Sequence, residues 1–422
     1  MDLRLLLAGP SRADLAAAIA ESLAAGSVLA LAAEQEERSL AAALAVAQAA
    51  PSAADLAASG PAVILGSGGS SGGRRWCLQP QSHLQASAAA SGQWLQGQGL
   101  DPSTTVLVNP LPLHHISGLM PLVRSWCWGV PHHVLPPALL RDPGALAEAV
   151  AVPEQRPAVL SLVPTQLERL LQAEAGLAWL ARFALIWVGG AGLDPAVAAR
   201  ARSAGLRLSP CYGATETAAM VCALPPAAFL RGEHSCGAAL ADVTLRLAPE
   251  DGAVEVATDR LALGWLGAGG LEPLALQPGR WWRSGDGGRL DDRGALTIHG
   301  RLDGAIHSGG VTVFPDQLSL RLQAEARQAG WPLAAVLLLP RLDPPWGERL
   351  VALVRPQAEG DGQALVRALT ELVRHWPAAE RPRHWLLCPE LDTGAAGKWE
   401  RARWQAWVDR RLPLSRPSGG QG

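Results

Sequence analysis

Alanine and leucine recur at helical spacing through residues 1–60, predicting helix up to a break near Pro51 and Gly60. The pattern then changes. Ala62-Val63-Ile64-Leu65 is an apolar run too short for a helix, and it predicts a strand buried on both faces. It opens onto a glycine and serine stretch, Gly66-Ser67-Gly68-Gly69-Ser70-Ser71-Gly72-Gly73-Arg74-Arg75. Val106 to Val108 predicts a second strand, which runs into Pro112-Leu113-His114-His115-Ile116-Ser117-Gly118. Ala184 to Val188 predicts a third, which meets Gly189-Gly190-Ala191-Gly192. Helices over about 142–152 and 165–174 flank Leu160-Ser161-Leu162-Val163-Pro164-Thr165. Strand, glycine turn and helix, repeated in that order, argue for α/β architecture.

From about 236 to 300 the polarity alternates over short segments such as Val254-Glu255-Val256-Ala257 and Ala295-Leu296-Thr297-Ile298. That predicts an antiparallel, barrel-like β subregion. Beyond Arg301, helices near 316–328 and 363–375 predict a smaller α+β segment. The expected organisation is a large α/β domain of mixed sheets over 1–302, a small α+β domain over 303–415, and a disordered tail over 416–422. No internal repeat is present.

Composition narrows the classes. Hydrophobic residues make up 49% of the 422, an ordinary globular value, although 45 Gly and 33 Pro make the chain loop-rich. A net charge of −2 supplies no basic field for a polyanion, which argues against nucleic-acid binding. The N-terminus carries Asp2, Asp14 and Glu21 where a secretory leader would have a basic start and an apolar core. No stretch offers about 20 apolar residues free of charge and proline, so no membrane span is expected. Six cysteines at 77, 127, 211, 222, 236 and 388 show no C-x-x-C pair, and free thiols in a cytoplasmic protein are expected.

Two depletions point to chemistry. Of 36 basic residues only Lys398 is lysine, and Tyr212 and Asn109 are the only tyrosine and asparagine. Where arginine replaces lysine almost everywhere, a surviving lysine marks a place where a compact ammonium does what a planar fork cannot. Lys398 ends a glycine-rich loop, Gly394-Ala395-Ala396-Gly397. Tyr212 opens Tyr212-Gly213-Ala214-Thr215-Glu216-Thr217, a turn holding a stacking ring, a hydroxyl for phosphate and a carboxylate for Mg²⁺. The 66–75 stretch can present backbone N–H groups and cations to phosphate, but it is not the G-x-x-x-x-G-K-[ST] loop. Ser284-Gly285-Asp286 and Gly300-Arg301-Leu302-Asp303 supply a carboxylate suited to a diol and a nearby arginine. Each of these, taken alone, also reads as an ordinary turn. Residues 381–422 carry eight basic residues against four acids, either a solvated face or a segment that closes over a polyanion.

The order of these blocks carries more than any one of them. The 67–75 loop resembles the T-S-G-S-T-G-x-P-K loop of the adenylate-forming acyl-CoA synthetases. It is followed, in that superfamily's order, by the His115 block, Gly189-Gly190-Ala191, the Tyr212 block, Ser284-Gly285-Asp286, Gly300-Arg301-Leu302-Asp303, Ser308-Gly309-Gly310 and Gly397-Lys398. Within the superfamily, His-Ile-Ser-Gly followed by Ser161-Leu162-Val163-Pro164-Thr165 resembles most the o-succinylbenzoate–CoA ligases.

The resemblance implies the adenylate-forming fold with a small mobile C-terminal domain, and a two-step reaction using ATP, Mg²⁺ and CoA. By family role, Ser67, Gly69, Ser70, Ser71, Gly72 and Arg75 hold the outer phosphates, Thr215 the α-phosphate, and Glu216 the metal. Tyr212 and Gly213, with Gly190 and Ala191 opposite, enclose adenine, while Asp286 and Arg301 bind ribose. Lys398 bridges the α-phosphate and the attacking carboxylate, Asp303 is the hinge, and Gly309 and Gly310 line the pantetheine approach. His115, Ser117 and Thr165 lie at the acid, and Arg124 is the candidate cation for its second carboxylate, against the plainer reading of an arginine reaching for solvent. Arg74-Arg75 replaces the family's Pro-Lys and Val311-Thr312 its Glu-Asn, and the early phosphate loop implies a trimmed N-terminal portion. The expected partners are a carboxylic acid, ATP and CoA, with a homodimer as the candidate assembly. Another aryl or fatty acid as substrate, or a nucleotide-binding scaffold without catalysis, are the competing readings.

Overall fold

The computed structural model describes residues 3–9, 11–49, 60–67, 75–136, 138–150, 152, 155–267, 270–343, 346–357, 361–393 and 399–412. The chain forms two compact units, Met1–Ile298 and His299–Gly422, so the division falls just before the 302 boundary read from sequence. The tail expected at 416–422 lies outside the described residues.

The first unit begins with a correction. Residues 1–49 are not helix throughout but β1 (Leu3–Ala8), a helix Arg12–Ala24, β2 (Val28–Ala33) and a helix Glu37–Ala49. β1 and β2 pair in parallel, and β2 pairs in parallel with β3 (Ala62–Ser67). Every residue of β2 is buried. Leu29 and Leu31 face one core with Val63 and Leu65, whereas Val28, Ala30 and Ala32 face another with Leu40 and Leu44. A strand covered on both faces needs no polar alternation, so its alanines and leucines passed for helix. β4 (Arg75–Pro80) returns antiparallel to β3.

The second sheet holds the other expected strands. β5 (Val106–Asn109), β6 (His132–Val134), β7 (Ala158–Leu162), β8 (Leu185–Val188) and β9 (Leu208–Ala214) are parallel, and β10 (Ala219–Ala223) turns back along β9. Its order is β10-β9-β8-β7-β5-β6. Helices Pro143–Ala149 and Pro164–Leu171 occupy the predicted places. Helices Gln81–Gly97 and Ile116–Trp128 pack on the first sheet through Leu84, Ala88, Leu119 and Met120. Ala90 and Leu95 of the former also join a core with Val159, Leu185 and Trp187 of the second sheet. The barrel-like subregion is antiparallel as expected: β11 (Thr244–Leu247), β12 (Ala253–Ala257), β15 (Leu276–Gln277) and β16 (Trp281–Leu290). Between them, β13 (Gly264–Gly267) and β14 (Gly270–Pro273) extend the first sheet through β4. β17 (Leu296–Arg301) pairs with β16.

The second unit is α+β. β18 (Ile306–Ser308), β19 (Val311–Val313), β20 (Leu333–Asp343), β21 (Gly347–Pro356) and β22 (Pro382–Leu387) form one sheet. Helices Pro315–Gln328 and Gly362–Leu372 cover one face, and Trp404, Trp407 and Val408 of helix Arg401–Arg411 cover the other. Three of the basic residues expected to face solvent or a polyanion are engaged inside this unit. Arg381 donates to the Trp376 carbonyl, and Arg403 and Arg411 stack on Trp404 and Trp407.

Two buried polar networks fix loops of the first unit. Asn109, fully buried, donates from Nδ2 to the Gly118 carbonyl (2.8 Å) and accepts from the Leu111 N–H (3.0 Å), joining the end of β5 to the helix that follows. Gly118 leaves that approach open, since a Cβ there would lie 2.1 Å from the Pro112 oxygen. Arg260, only 1% exposed, donates to Asp242 (2.6 Å), Ser87 Oγ (3.2 Å) and the carbonyls of Thr217 (2.6 Å) and Met220 (2.9 Å). Replacing Arg260 by leucine strands those acceptors, and chemical unfolding is expected to show a loss of about 3 kcal/mol. A loss below about 1 kcal/mol would mean that the network contributes no more than an exposed ion pair.

Candidate active site

The parallel strands of the second sheet all run the same way, so their carboxyl ends, where open α/β sheets bind ligands, present four loops along one edge. The loop after β5 carries His115, the helix that opens directly after β7 carries Thr165 in its first turn, the loop after β8 carries Gly190 and Ala191, and β9 itself ends in Tyr212, Gly213 and Ala214 before Thr215 and Glu216. These sequence-predicted residues therefore share one edge. His115 caps the helix Ile116–Trp128 and is half-buried, its ring 4.4 Å from that of His114. Ser117, Thr165, Gly190 and Ala191 are exposed. Gly190 has φ +83°, a left-handed turn that favours glycine after a strand.

The Tyr212 turn is the most constrained part. Gly213 packs against the returning β10 so closely that a Cβ would sit 2.0 Å from the Ala219 oxygen. Ala218 and Ala219 then adopt φ of 51° and 74°, two consecutive left-handed non-glycine residues. Such backbone costs about 1–3 kcal/mol per residue and persists only where its surroundings over-determine it. They do here. Thr217 Oγ1 receives the Ala214 N–H (3.0 Å), Ser87 Oγ donates to the Ala218 carbonyl (2.6 Å), and Gln79 Nε2 donates to the Thr215 carbonyl (2.7 Å). The Ala262 N–H bonds the Glu216 carbonyl (2.8 Å), and Arg260 holds both ends of the turn.

Tyr212 donates its hydroxyl to Asp286 Oδ2 at 2.7 Å, so β9 and β16 bring two of the predicted residues together. Burial, reinforced by the Asp286 charge, raises the phenol well above its ordinary value and keeps it a donor. Ser284 Oγ receives the Asp286 N–H at 3.1 Å, which fixes the carboxylate's backbone. Glu216 is 8% exposed, and its side chain accepts one hydrogen bond, from Trp265 Nε1 at 3.2 Å. Its second oxygen has no partner among the described residues.

Arg124 does not reach for solvent. It is 5% exposed, donates Nε to Ser91 Oγ at 2.9 Å and lies 4.5 Å over the Trp187 ring. No carboxylate pairs with it among the described residues. Burial lowers the guanidinium to about 10, and it remains cationic at neutral pH. Cys211 beside it is pushed up to about 12 by burial, and all six cysteines are free thiols.

Ser67 ends β3 and pairs with Arg75, which starts β4. Between them Gly69, Ser70, Ser71 and Gly72 lie outside the described residues, as does Lys398. In the second unit Arg301 makes a two-point contact with Asp303, Nε to Oδ1 at 3.2 Å and NH2 to Oδ2 at 3.1 Å. Gly309 and Gly310 have φ of 58° and 81°. A Cβ on Gly309 would lie 2.6 Å from Trp346, so this glycine has a packing reason inside its own unit, whereas Gly310 faces open space.

Sequence reasoning singled out Asn109 without giving it a role, and missed Arg260 and Trp265. Asn109 carried the same signal as Tyr212, a residue type used once, while the other two are types the chain uses everywhere.

A metal fits this edge in one way. Among the described residues no group of three or more His, Cys, Asp or Glu could cage an ion, whereas Glu216 offers one free carboxylate oxygen. That suits Mg²⁺, which takes one or two protein carboxylates and completes its shell with water and phosphate. No helix among the described residues is long and apolar enough to cross a membrane.

Comparison with known proteins agrees with this geometry. The chain is 32% identical to the 2-succinylbenzoate–CoA ligase of Salmonella typhimurium over 301 residues, which are 71% of this chain and 59% of that protein. It is 27% identical to the indoleacetate–CoA ligase of Aromatoleum aromaticum over 69% of this chain and 57% of that one. The chain thus spans less than two thirds of the length of these relatives. The o-succinylbenzoate CoA synthetase of Bacillus subtilis, solved with its acyl-adenylate intermediate, shares the fold at a TM-score of 0.74 and 18% identity, over 96% of this chain and 88% of that one. Residues 3–260, more than half the chain, match the AMP-binding enzymes, and the protein belongs to that family.

Proposed function

We propose that the protein is an ATP-dependent acid–CoA ligase that converts o-succinylbenzoate to its CoA thioester through an acyl-adenylate. The observation that carries this reading is the Tyr212–Asp286 pair and the rigid Thr215–Glu216 turn on the carboxyl edge of a sheet, in a chain of the AMP-binding family.

In the first step a carboxylate oxygen of the acid attacks the α-phosphorus of ATP, and the bond to pyrophosphate breaks. In the second, the CoA sulfur attacks the acyl carbon and AMP leaves with the bonding pair. Both steps need reactants held in line and charge on phosphate and carbonyl oxygens offset by fixed groups. Tyr212, Gly213, Gly190 and Ala191 would enclose the base, and Asp286, with Arg301, the ribose. Thr215 would bond the α-phosphate, with the Ser67–Arg75 loop on the outer phosphates. Glu216 would hold Mg²⁺, which when bound neutralises phosphate charge. Lys398 would bridge the α-phosphate and the acid, Asp303 would be the hinge, and Gly309 and Gly310 would pass pantetheine. His115, Ser117 and Thr165 line the edge on which the acid would lie.

The choice of a dicarboxylate rests on Arg124. A buried cation with no carboxylate partner among the described residues is poised for one brought by the substrate. The likeness to an indoleacetate–CoA ligase favours, as a second reading, an aryl monocarboxylate.

Mass spectrometry of reactions with ATP, Mg²⁺, CoA and a panel of acids separates them. The expected product is a thioester from o-succinylbenzoate and none from benzoate or indoleacetate. A thioester from a monocarboxylate alone would select the second reading, and no adenylate from any acid would leave a non-catalytic nucleotide binder. Arg124→Leu is expected to lower kcat/KM for the dicarboxylate by about 30-fold or more while sparing a monocarboxylate. Lys398→Ala is expected to slow adenylation, read as pyrophosphate exchange, by about a hundredfold or more. Unchanged exchange in that variant would remove Lys398 from the first step.

A further inference from the structure

Three times among the described residues an arginine lies on the face of a tryptophan whose N–H is donated to a glutamate. Arg321 stacks on Trp376, which donates to Glu325 at 3.1 Å, and Arg411 stacks on Trp407, which donates to Glu390 at 2.6 Å. In both, the arginine also pairs with that glutamate, at 2.7 Å for Arg321–Glu325 and 3.8 Å for Arg411–Glu390. The third set is Arg75, 4.3 Å over the Trp265 ring, with Trp265 Nε1 donating to Glu216 at 3.2 Å. Here no ion pair joins arginine to glutamate among the described residues. Both charges nonetheless act on one thiol: burial raises Cys77, with Glu216 adding to the rise and Arg75 opposing it.

The strand pattern explains the position. β13 pairs with β4 so that Trp265 stands opposite Cys77. Leu266 turns into the core with Ile64 and Leu78, which sends Trp265 to the opposite face. Gly264 lets β14 lie close enough that a Cβ would meet the Glu272 oxygen at 2.1 Å. The indole therefore stands between the two charges, held by the sheet and not by either side chain.

We propose that Trp265 is a positioning residue that keeps Arg75 and Glu216 apart, so that the cation stays available to phosphate and the carboxylate to Mg²⁺. The ring face takes the guanidinium without neutralising it. The indole N–H, a neutral donor, orients one carboxylate oxygen and leaves the other free with its charge intact. In the other two sets the arginine reaches its glutamate past the indole, whereas here the sheet-held ring lies between the charges; with the ring removed, nothing would keep the two from pairing, and each would be lost to its ligand. This rests on the roles proposed above for Arg75 and Glu216.

Calorimetric titration of the full-length protein with α,β-methylene-ATP, with and without Mg²⁺ and with no acid present, measures how far Mg²⁺ tightens nucleotide binding without any turnover. In Trp265→Leu that enhancement is expected to fall about tenfold. Adding Arg75→Gln to Trp265→Leu frees Glu216, and the enhancement is expected to recover about threefold even though the analogue alone binds more weakly. A tryptophan with only a packing role would show no such reversal. An unchanged enhancement in Trp265→Leu, or a further fall in the double variant, overturns the proposal. Should the leucine variant not fold, Trp265→Phe keeps a ring under Arg75 and removes only the donor. Its enhancement should drop about threefold, and no drop overturns the orienting role. If the unaltered protein binds no analogue even with Mg²⁺, the ligase reading itself falls, and this proposal with it.

Discussion

Arg260 joins parts of the first unit that are far apart in sequence. One guanidinium reaches the Ser87 hydroxyl on helix Gln81–Gly97, Asp242, and two carbonyls on either side of the strained Ala218–Ala219 backbone. The turn that offers Thr215 and Glu216 is held in a conformation its own sequence does not favour. A buried arginine with five fixed donors suits such a place, because it can satisfy several acceptors at once in one plane. The surrounding bonds from Gln79, Ser87 and Ala262 reach the same turn from other elements, so a shift in any of them would be felt at Glu216.

The same economy of residue types recurs elsewhere. With lysine almost absent and 16 tryptophans present, this chain places its cations on indole faces: Arg75, Arg124, Arg246, Arg321, Arg349, Arg403 and Arg411 all stack on tryptophan. At exposed sites such a stack contributes about 0.5–1 kcal/mol, little more than a surface ion pair. Its effect on chemistry differs from its effect on stability. A cation on a ring keeps its full charge and its outward donors, whereas a cation in an ion pair does not. Among the described residues Arg75, Arg124 and Arg349 have no carboxylate partner, and Arg75 and Arg124 are the two of these in the first unit.

Much of the fold was legible in the sequence, as were the blocks that make up the candidate site. The strands at 62, 106 and 185, the alternating segments from 253 to 257 and the helices of the second unit follow from period and run length, which are local properties. The site blocks were legible because glycine, lone tyrosine and charged turns punctuate those strands in an order that a known superfamily shares. The failures were of two kinds. Residues 1–49 were read as helix because alanine and leucine serve a helix and a doubly buried strand equally well, and only the two cores that β2 divides distinguish them. Arg260 and Trp265 were passed over because nothing marks one arginine among so many, or one tryptophan among 16.

By itself, the sequence determined the α/β class, the placing of the glycine turns after strands, and which residue types stand in those turns, since each depends on neighbours within a few positions. The tertiary structure alone decided which charges are neutralised. Arg124 is buried without a carboxylate among the described residues, and Arg75 is parted from Glu216 by a ring. Those outcomes depend on residues 33 to 190 positions apart meeting across strands and helices. Charge–charge and charge–ring energies follow distance in space and burial, neither of which the order of residues states.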